Sequence, residues 1–356
     1  MKRTVSVVGV YSVIHAVVDF ACAMLLAGLV SPRIADNAYA LLAVYLSYNF
    51  FAFAMQFPIG IIADSLDKNA LVSAVGCVVI AAAYLLYPVG VLAAIVAGIG
   101  NAMFHVGGGI DVLNISDRKA TLPGIFVATG ALGLYVGAQC NTLGWDRYPV
   151  TAVVLLLAAA TLVWLYRKAH GSFAIRNTTP PILRDYPRAE LIIAGCMLLT
   201  IGIRGGFGLV MNFTWKNGFR IGLITVCAVV LGKMLGGVVG DRLGWRRTTV
   251  ISLALSAVLF IFAYDSMAAG IAAIFLFNMS MPITLTALAN RFEKQRGMAF
   301  GLTTVALFVG ALPVLFGYGK WLFLRPVLVI ATAASAAVLW YGLRRYERAE
   351  REAGDA

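Results

Sequence analysis

The amino-acid sequence predicts an all-α membrane protein whose twelve transmembrane helices form two pseudo-symmetric six-helix bundles. Three observations lead there. Of the 356 residues, 61% are hydrophobic and only 12% charged, with a mean hydropathy of +0.88, so polar side chains are too few to cover a water-soluble globule. The apolar residues gather in runs of about 20, the length that crosses roughly 30 Å of hydrocarbon. The second half also repeats landmarks of the first at one offset, about 177 residues.

Dividing the chain at charged, Pro and Gly clusters gives spans near 5–29, 39–63, 69–87, 89–114, 120–142 and 148–166, then 189–212, 219–240, 248–264, 267–289, 297–317 and 321–343. Met1-Lys2-Arg3 ahead of the first run has the charge pattern of a signal peptide. The run is too long for one and lacks a small-residue cleavage site, so it reads as the first span. The polar stretch 168–188, with Pro180-Pro181 and Pro187, divides the chain near its midpoint. It is the expected cytoplasmic linker between an N-terminal bundle (1–167) and a C-terminal bundle (189–356) that ends in a short tail.

The net charge of +12 sits in short clusters between apolar runs, which excludes a continuous basic face for nucleic acid. With both termini in the cytoplasm, about twenty Lys and Arg fall inside and about six outside, the asymmetry of the positive-inside rule. Arg246-Arg247, the stretch 291–296 and Arg344-Arg345 carry much of it. The five cysteines are odd in number, widely spaced and embedded in apolar runs, which suits packing rather than a disulfide framework or a zinc site.

The offset of 177 superposes Gly60 on Gly237, Asp64 on Asp241, Leu66 on Leu243, Asn101 on Asn278, Gly124 on Gly301 and Gly133 on Gly310. These pairs fall at equivalent places in spans two and eight, four and ten, and five and eleven, so the chain reads as a duplication. A duplicated bundle is expected to hold its site near the midplane and to expose it alternately as one half rocks against the other.

The paired motif reads Gly60-Ile-Ile-Ala-Asp64-Ser-Leu-Asp67-Lys68 in the first half and Gly237-Val-Val-Gly-Asp241-Arg242-Leu-Gly244-Trp-Arg246-Arg247 in the second. It resembles the signature loop of the major facilitator superfamily. That resemblance implies a monomeric secondary transporter, with Gly60 and Gly237 allowing close helix approach and Asp64, Asp241, Arg242 and Arg246 acting at a cytoplasmic gate. His15-Ala-Val-Val-Asp19, Gln56-Phe-Pro58-Ile-Gly60 and Phe104-His105-Val-Gly107-Gly108 further resemble the fosmidomycin-resistance type of drug exporter, which implies export.

Ionisable side chains inside a span are costly, so each needs a reason. Tyr11, His15 and Asp19 follow one another at i,i+4 and form a polar stripe, with His15 roughly 15 Å along the helix. Imidazole titrates near neutrality, so His15 and Asp19 can load and release a proton; a hydrogen-bonded structural pair is the alternative. Asn101 and His105 repeat the spacing in span four, which makes His105 a third proton-coupling candidate, and Asp111 near the end of that span suits a structural or gating role. In the second half Arg204, with Gly208 and Asn212 on its face, and Lys233 lie deep in spans seven and eight. They suit an anionic group, or a charge pair with Asp19 or another acid. Tyr11 in span one, Tyr45 and Asn49 in span two, Asn101 in span four and Asn278 in span ten are the candidates to add neutral hydrogen bonds to a solute, or to pack and bend their helices.

The expected function is proton-coupled transport of a small anionic or zwitterionic organic solute, by export, with no cofactor and the lipid bilayer and protons as partners. A proton symporter taking up organic acids is the nearest alternative. Transport of a divalent metal is another, because His15, Asp19, His105 and Asp111 are potential ligands. A membrane-embedded enzyme would use the same groups, but the sequence holds no His-Glu-x-x-His, Gly-x-Ser-x-Gly or nucleotide loop.

Overall fold

The computed structural model describes residues 2–169, 186–211 and 213–354. Most of the expected linker, including Pro180-Pro181, lies outside these residues, as does Asn212. Among the described residues, twelve helices are long and apolar enough to cross a membrane: α1 Ser6–Arg33, α2 Ala38–Leu66, α3 Asn69–Leu86, α4 Gly90–Ile115, α5 Thr121–Ala138, α6 Tyr148–Lys168, α7 Arg188–Gly208, α8 Gly218–Leu243, α9 Trp245–Phe262, α10 Met267–Arg291, α11 Glu293–Leu315 and α12 Arg325–Glu352. The chain is a multi-pass, all-helical membrane protein.

Local chemistry fixes where the helices stop. The Asn37 carboxamide accepts from the Ala40 N–H at 3.0 Å and opens α2, satisfying a donor that has no partner within the helix. α2 ends where Asp67 turns left-handed (φ 49°), and α8 ends where Gly244 has φ 95°. These two stops are 177 residues apart, so the repeat preserves the stop while an Asp stands in for Gly at the first. α1 runs beyond its expected end through a π-helical stretch, Met24–Val30, and a 3₁₀ turn, Ser31–Arg33. α12 likewise runs past 343, its last turns carrying the pair Arg348 Nε to Glu352 Oε1 at 2.8 Å. α10 is interrupted at Met279, because Pro282 has no N–H for the Asn278 carbonyl one turn earlier.

The described residues form two compact units. Unit 1 comprises 2–117, 126–169 and 294–305; unit 2 comprises 118–125, 186–211, 213–293 and 306–354. Each therefore holds its own six-span stretch less one helix start, and also the first turns of α11 (unit 1) or of α5 (unit 2). In unit 1, α3 and α4 meet backbone to backbone: a Cβ on Gly76 would lie 2.5 Å from the Gly100 carbonyl oxygen and 2.7 Å from the Phe104 nitrogen. Small residues permit this in lipid, where dispersion rather than water drives helix association. Unit 2 builds its core from Ile193, Leu253, Phe260, Phe277 and Leu339.

Candidate functional site

In unit 1, α1, α4 and α5 bring the polar groups of the first half together. The His15 Nε2 lies 3.3 Å from Asp19 Oδ2, and the His105 Nε2 lies 3.7 Å from Asp19 Oδ1. Asn101 donates its amide to Asp19 Oδ1 at 3.0 Å. The two imidazoles stand edge to face with centroids 4.4 Å apart. Each is held from behind: His15 Nδ1 meets the Phe126 carbonyl at 2.7 Å, and His105 Nδ1 meets the Asn101 carbonyl at 2.9 Å. A carbonyl oxygen only accepts, so both Nδ1 atoms carry hydrogen and both Nε2 atoms turn toward one carboxylate. Phe104 and Phe126 pack against the His15 ring. Gly130 leaves the remaining space, since a Cβ there would collide with His15 Nε2 and Asp19 Oδ2.

Tyr11, on the same stripe of α1, joins a different cluster. Its hydroxyl, fully buried, donates to Asp111 Oδ2 at 2.6 Å, and Asn69 donates to Asp111 Oδ1 at 2.9 Å. Asp111 thus has two neutral donors that satisfy a buried carboxylate. In α2 the Tyr45 hydroxyl and Ser31 Oγ are 2.9 Å apart, and Asn49 donates to the Tyr45 carbonyl at 2.7 Å. Both of these side chains are thus engaged within unit 1.

In unit 2, Arg204 is 8% exposed. Among the described residues its one hydrogen bond runs from Nη1 to Ser280 Oγ at 3.5 Å, the outer limit of such a bond, and no carboxylate lies within ion-pair distance. Ser280 is presented by the break in α10. Asn278, just before the break, donates to the Ile274 carbonyl of its own helix at 2.8 Å. Lys233 is half-buried on α8, and its carbonyl lies where Gly124 packs. The repeat places Lys233 on Gln56, whose carbonyl packs against Gly301 in the same way in unit 1.

The two motif aspartates do the same work at equivalent places. In unit 1 Asp64, 4% exposed, accepts from the Gly297 N–H at 2.7 Å and the Met298 N–H at 2.9 Å. In unit 2 Asp241 accepts from the Ala120 N–H at 2.9 Å, the Thr121 N–H at 2.8 Å and the Thr121 hydroxyl at 2.6 Å. All four backbone donors lie at the starts of α11 or α5, Ala120 immediately before the first residue of α5, where N–H groups lack helical partners and the dipole favours an anion. The donors obey the offset: 297 − 120 and 298 − 121 both equal 177, as does 241 − 64. Gly60 packs on Gly297 and Gly237 on Ala120, so close that any Cβ would meet backbone. Asp241 additionally accepts from Trp245 Nε1 at 2.9 Å. Arg246 pairs with Glu347 at 3.2 Å, and Arg242 is exposed.

The sequence reading did not anticipate the Phe126 and Asn101 carbonyls, Gly130, Asn69 or Ser280. Only Gly130 carried a hint, as part of a glycine-rich stretch in α5.

No family model matches the chain, and no curated protein matches it in sequence. Solved structures do match in fold. The fucose:proton symporter of E. coli aligns with a TM-score of 0.67 at 11% identity, covering 95% of this chain and 98% of its own. The human organic anion transporter MFSD10 aligns at 0.65 and 13% identity, covering 97% and 99%. A bacterial homologue of the iron transporter ferroportin, in an outward-facing state, aligns at 0.62 and 12% identity, covering 96% and 98%. The chain has the major facilitator fold, and the proteins it resembles in fold are transporters.

Proposed function

We propose that the chain is a proton-coupled secondary transporter that exports a small anionic or zwitterionic organic solute, as a monomer in the cell membrane with both termini in the cytoplasm. The observation that carries the reading is Arg204, a buried cation in a membrane-spanning helix with no acidic partner among the described residues. A guanidinium is too costly to bury unpaired for packing alone. An incoming carboxylate, phosphonate or phosphate completes it, in bidentate fashion, and Lys233 adds a point charge. MFSD10, which shares the fold, is a human organic anion transporter.

Asp19 takes the coupling proton, shared with His15 and His105. Tyr11 and Asn101 are positioning groups, Tyr45 and Asn49 orient α2, and Asn278 stands beside the Arg204 partner Ser280. Asp64 and Asp241, with Gly60, Gly237, Arg242 and Arg246, form the cytoplasmic gate: rocking of one half against the other has to break their hold on the first turns of α11 and α5.

Liposomes carrying a pH-sensitive dye test this. Organic anions, and neither cations nor neutral compounds, should drive proton flux that Arg204→Ala and Asp19→Asn each reduce at least tenfold. Anion-driven flux unchanged in Arg204→Ala would reject the solute site, and tracer movement without proton flux would reject coupling. The fucose:proton symporter in the same fold keeps uptake as the second reading; the direction in which an imposed pH gradient drives solute separates it from export.

A further inference from the structure

We infer that His15, Asp19 and His105 form a binding site for a divalent transition metal ion of the Zn²⁺ or Co²⁺ type. This rests on the geometry of unit 1 alone and stands whether or not the chain transports an anion.

Both imidazoles commit their Nδ1 hydrogen to a main-chain carbonyl, at 2.7 and 2.9 Å. In the neutral ring this leaves a lone pair on each Nε2, and both lone pairs are aimed at a carboxylate that offers more lone pairs. Such an arrangement suits a cation at its centre. One ligand atom from each of the three residues lies within 4.8 Å of the others.

A tetrahedral ion with bonds of about 2.0–2.2 Å sets its ligand atoms roughly 3.3–3.5 Å apart. The His15 Nε2–Asp19 Oδ2 separation of 3.3 Å already fits, whereas the 3.7 Å from His105 Nε2 is to the other carboxylate oxygen, Oδ1. The three ligand atoms span up to 4.8 Å, so they draw in by about 1 Å to share one ion. The carbonyls behind the rings are the outer support that metal-bound histidines use to fix tautomer and orientation. Asn101 steadies the carboxylate from its other side, and the Phe104 and Phe126 rings shield the cluster. Two nitrogens and one oxygen favour Zn²⁺, Co²⁺, Ni²⁺ or Cu²⁺ over the all-oxygen preference of Mg²⁺ and Ca²⁺. Three protein ligands leave a fourth position for water or a solute donor. A bound ion occupies the lone pairs that would hold a coupling proton, so it competes with that proton.

The test is calorimetric titration of the purified full-length chain in detergent with ZnCl₂ and with MgCl₂, backed by the visible absorption of Co²⁺. One Zn²⁺ per chain is expected, with no Mg²⁺ heat and a tetrahedral Co²⁺ band. His105→Gln and His15→Gln should each weaken Zn²⁺ at least tenfold, and Gly130→Ala should weaken it by crowding two ligands. Each variant's metal-free melting temperature checks that it folds; should His15→Gln fail, His105→Gln, on a less buried ring, decides alone. Absence of a Co²⁺ band, or wild-type Zn²⁺ affinity in a folded His105→Gln, overturns the site. Zn²⁺ binding in a protein that moves no protons would instead reject the coupling reading and leave the metal site standing.

Discussion

The two units are alike at their helix ends and different in mid-span. Asp64 in unit 1 and Asp241 in unit 2 cap the starts of α11 and α5 through backbone donors that are 177 residues apart. Mid-span, the repeat partner of Asp19 is Cys196, that of His105 is Pro282, and that of Arg204 is Ala27. What the fold needs twice has survived duplication twice. The mid-span polar groups appear once, an acid with two imidazoles in one unit and, in the other, a guanidinium with no acidic partner among the described residues.

The sharpest way to break this comparison is to add bulk at the paired glycines. Gly60→Val and Gly237→Val each drive a side chain into the backbone of the helix start they pack on. With no flexible side chain there to yield, each should lose about 3 kcal/mol or more, read as loss of folded protein in size-exclusion chromatography. A tolerated substitution at one and not the other would end the equivalence of the two packings.

Neutralising the caps is the next largest effect. Asp64→Ala strands two buried N–H groups and should lower stability by about 2–4 kcal/mol. Asp241→Ala should lose slightly less, because Asp241 is only half-buried and water can reach the abandoned donors. Thermal melting in detergent measures both, and a reversed order would mean the Thr121 and Trp245 bonds outweigh burial.

Mid-span substitutions should behave in the opposite way. Replacing Arg204 with Met removes a buried charge that has no acidic partner among the described residues and keeps apolar volume, so the fold should gain stability, by about 1–4 kcal/mol, while anion-driven flux disappears. Asp64 would then be a residue that stability requires, and Arg204 one that stability opposes. A destabilised Arg204→Met would show that Ser280, at 3.5 Å, holds the guanidinium more firmly than its distance indicates.

Much of this was legible in the sequence, for definite reasons. Lipid imposes length and apolarity on every span, so the helix limits follow within a few residues except at the end of α12, which runs to Glu352 rather than 343, and duplication writes its landmarks at one offset. His15, Asp19, Asn101 and His105 could be singled out because polar groups are rare in apolar runs, and i,i+4 spacing puts each pair on one helix face. That α1 and α4 bring these pairs into contact is a tertiary fact. So is the departure of Tyr11 to Asp111: one stripe on α1 serves two clusters because α4 presents Asn101 and Asp111 at different heights. Main-chain carbonyls such as that of Phe126 leave no trace in residue type, so the tautomer lock was invisible. The break in α10 was half visible, through Pro282, but that it delivers Ser280 to Arg204 was not.

The smallest effect contrasts a charge on backbone with charges on one another. Glu350 on α12 accepts from Arg118 Nη2 at 2.5 Å and Arg291 Nη1 at 3.1 Å, and Arg291 also reaches Glu190 at 3.0 Å. Burial alone would push the Arg118 guanidinium down, but Glu350, Tyr346 and Glu293 hold it above its ordinary value. These groups lie within unit 2 beside the Asp241 cap, yet Arg118 and Glu350 are more than one-third exposed. Water and salt therefore screen them. Glu350→Gln should lower stability by no more than about 1 kcal/mol, a loss that should shrink in about 1 M salt. The Asp241→Ala loss should persist there, because salt cannot replace an acceptor for the N–H groups of Ala120 and Thr121. Melting at low and high salt reads both, and a salt-insensitive Glu350→Gln would place Glu350 with the caps rather than with the surface pairs.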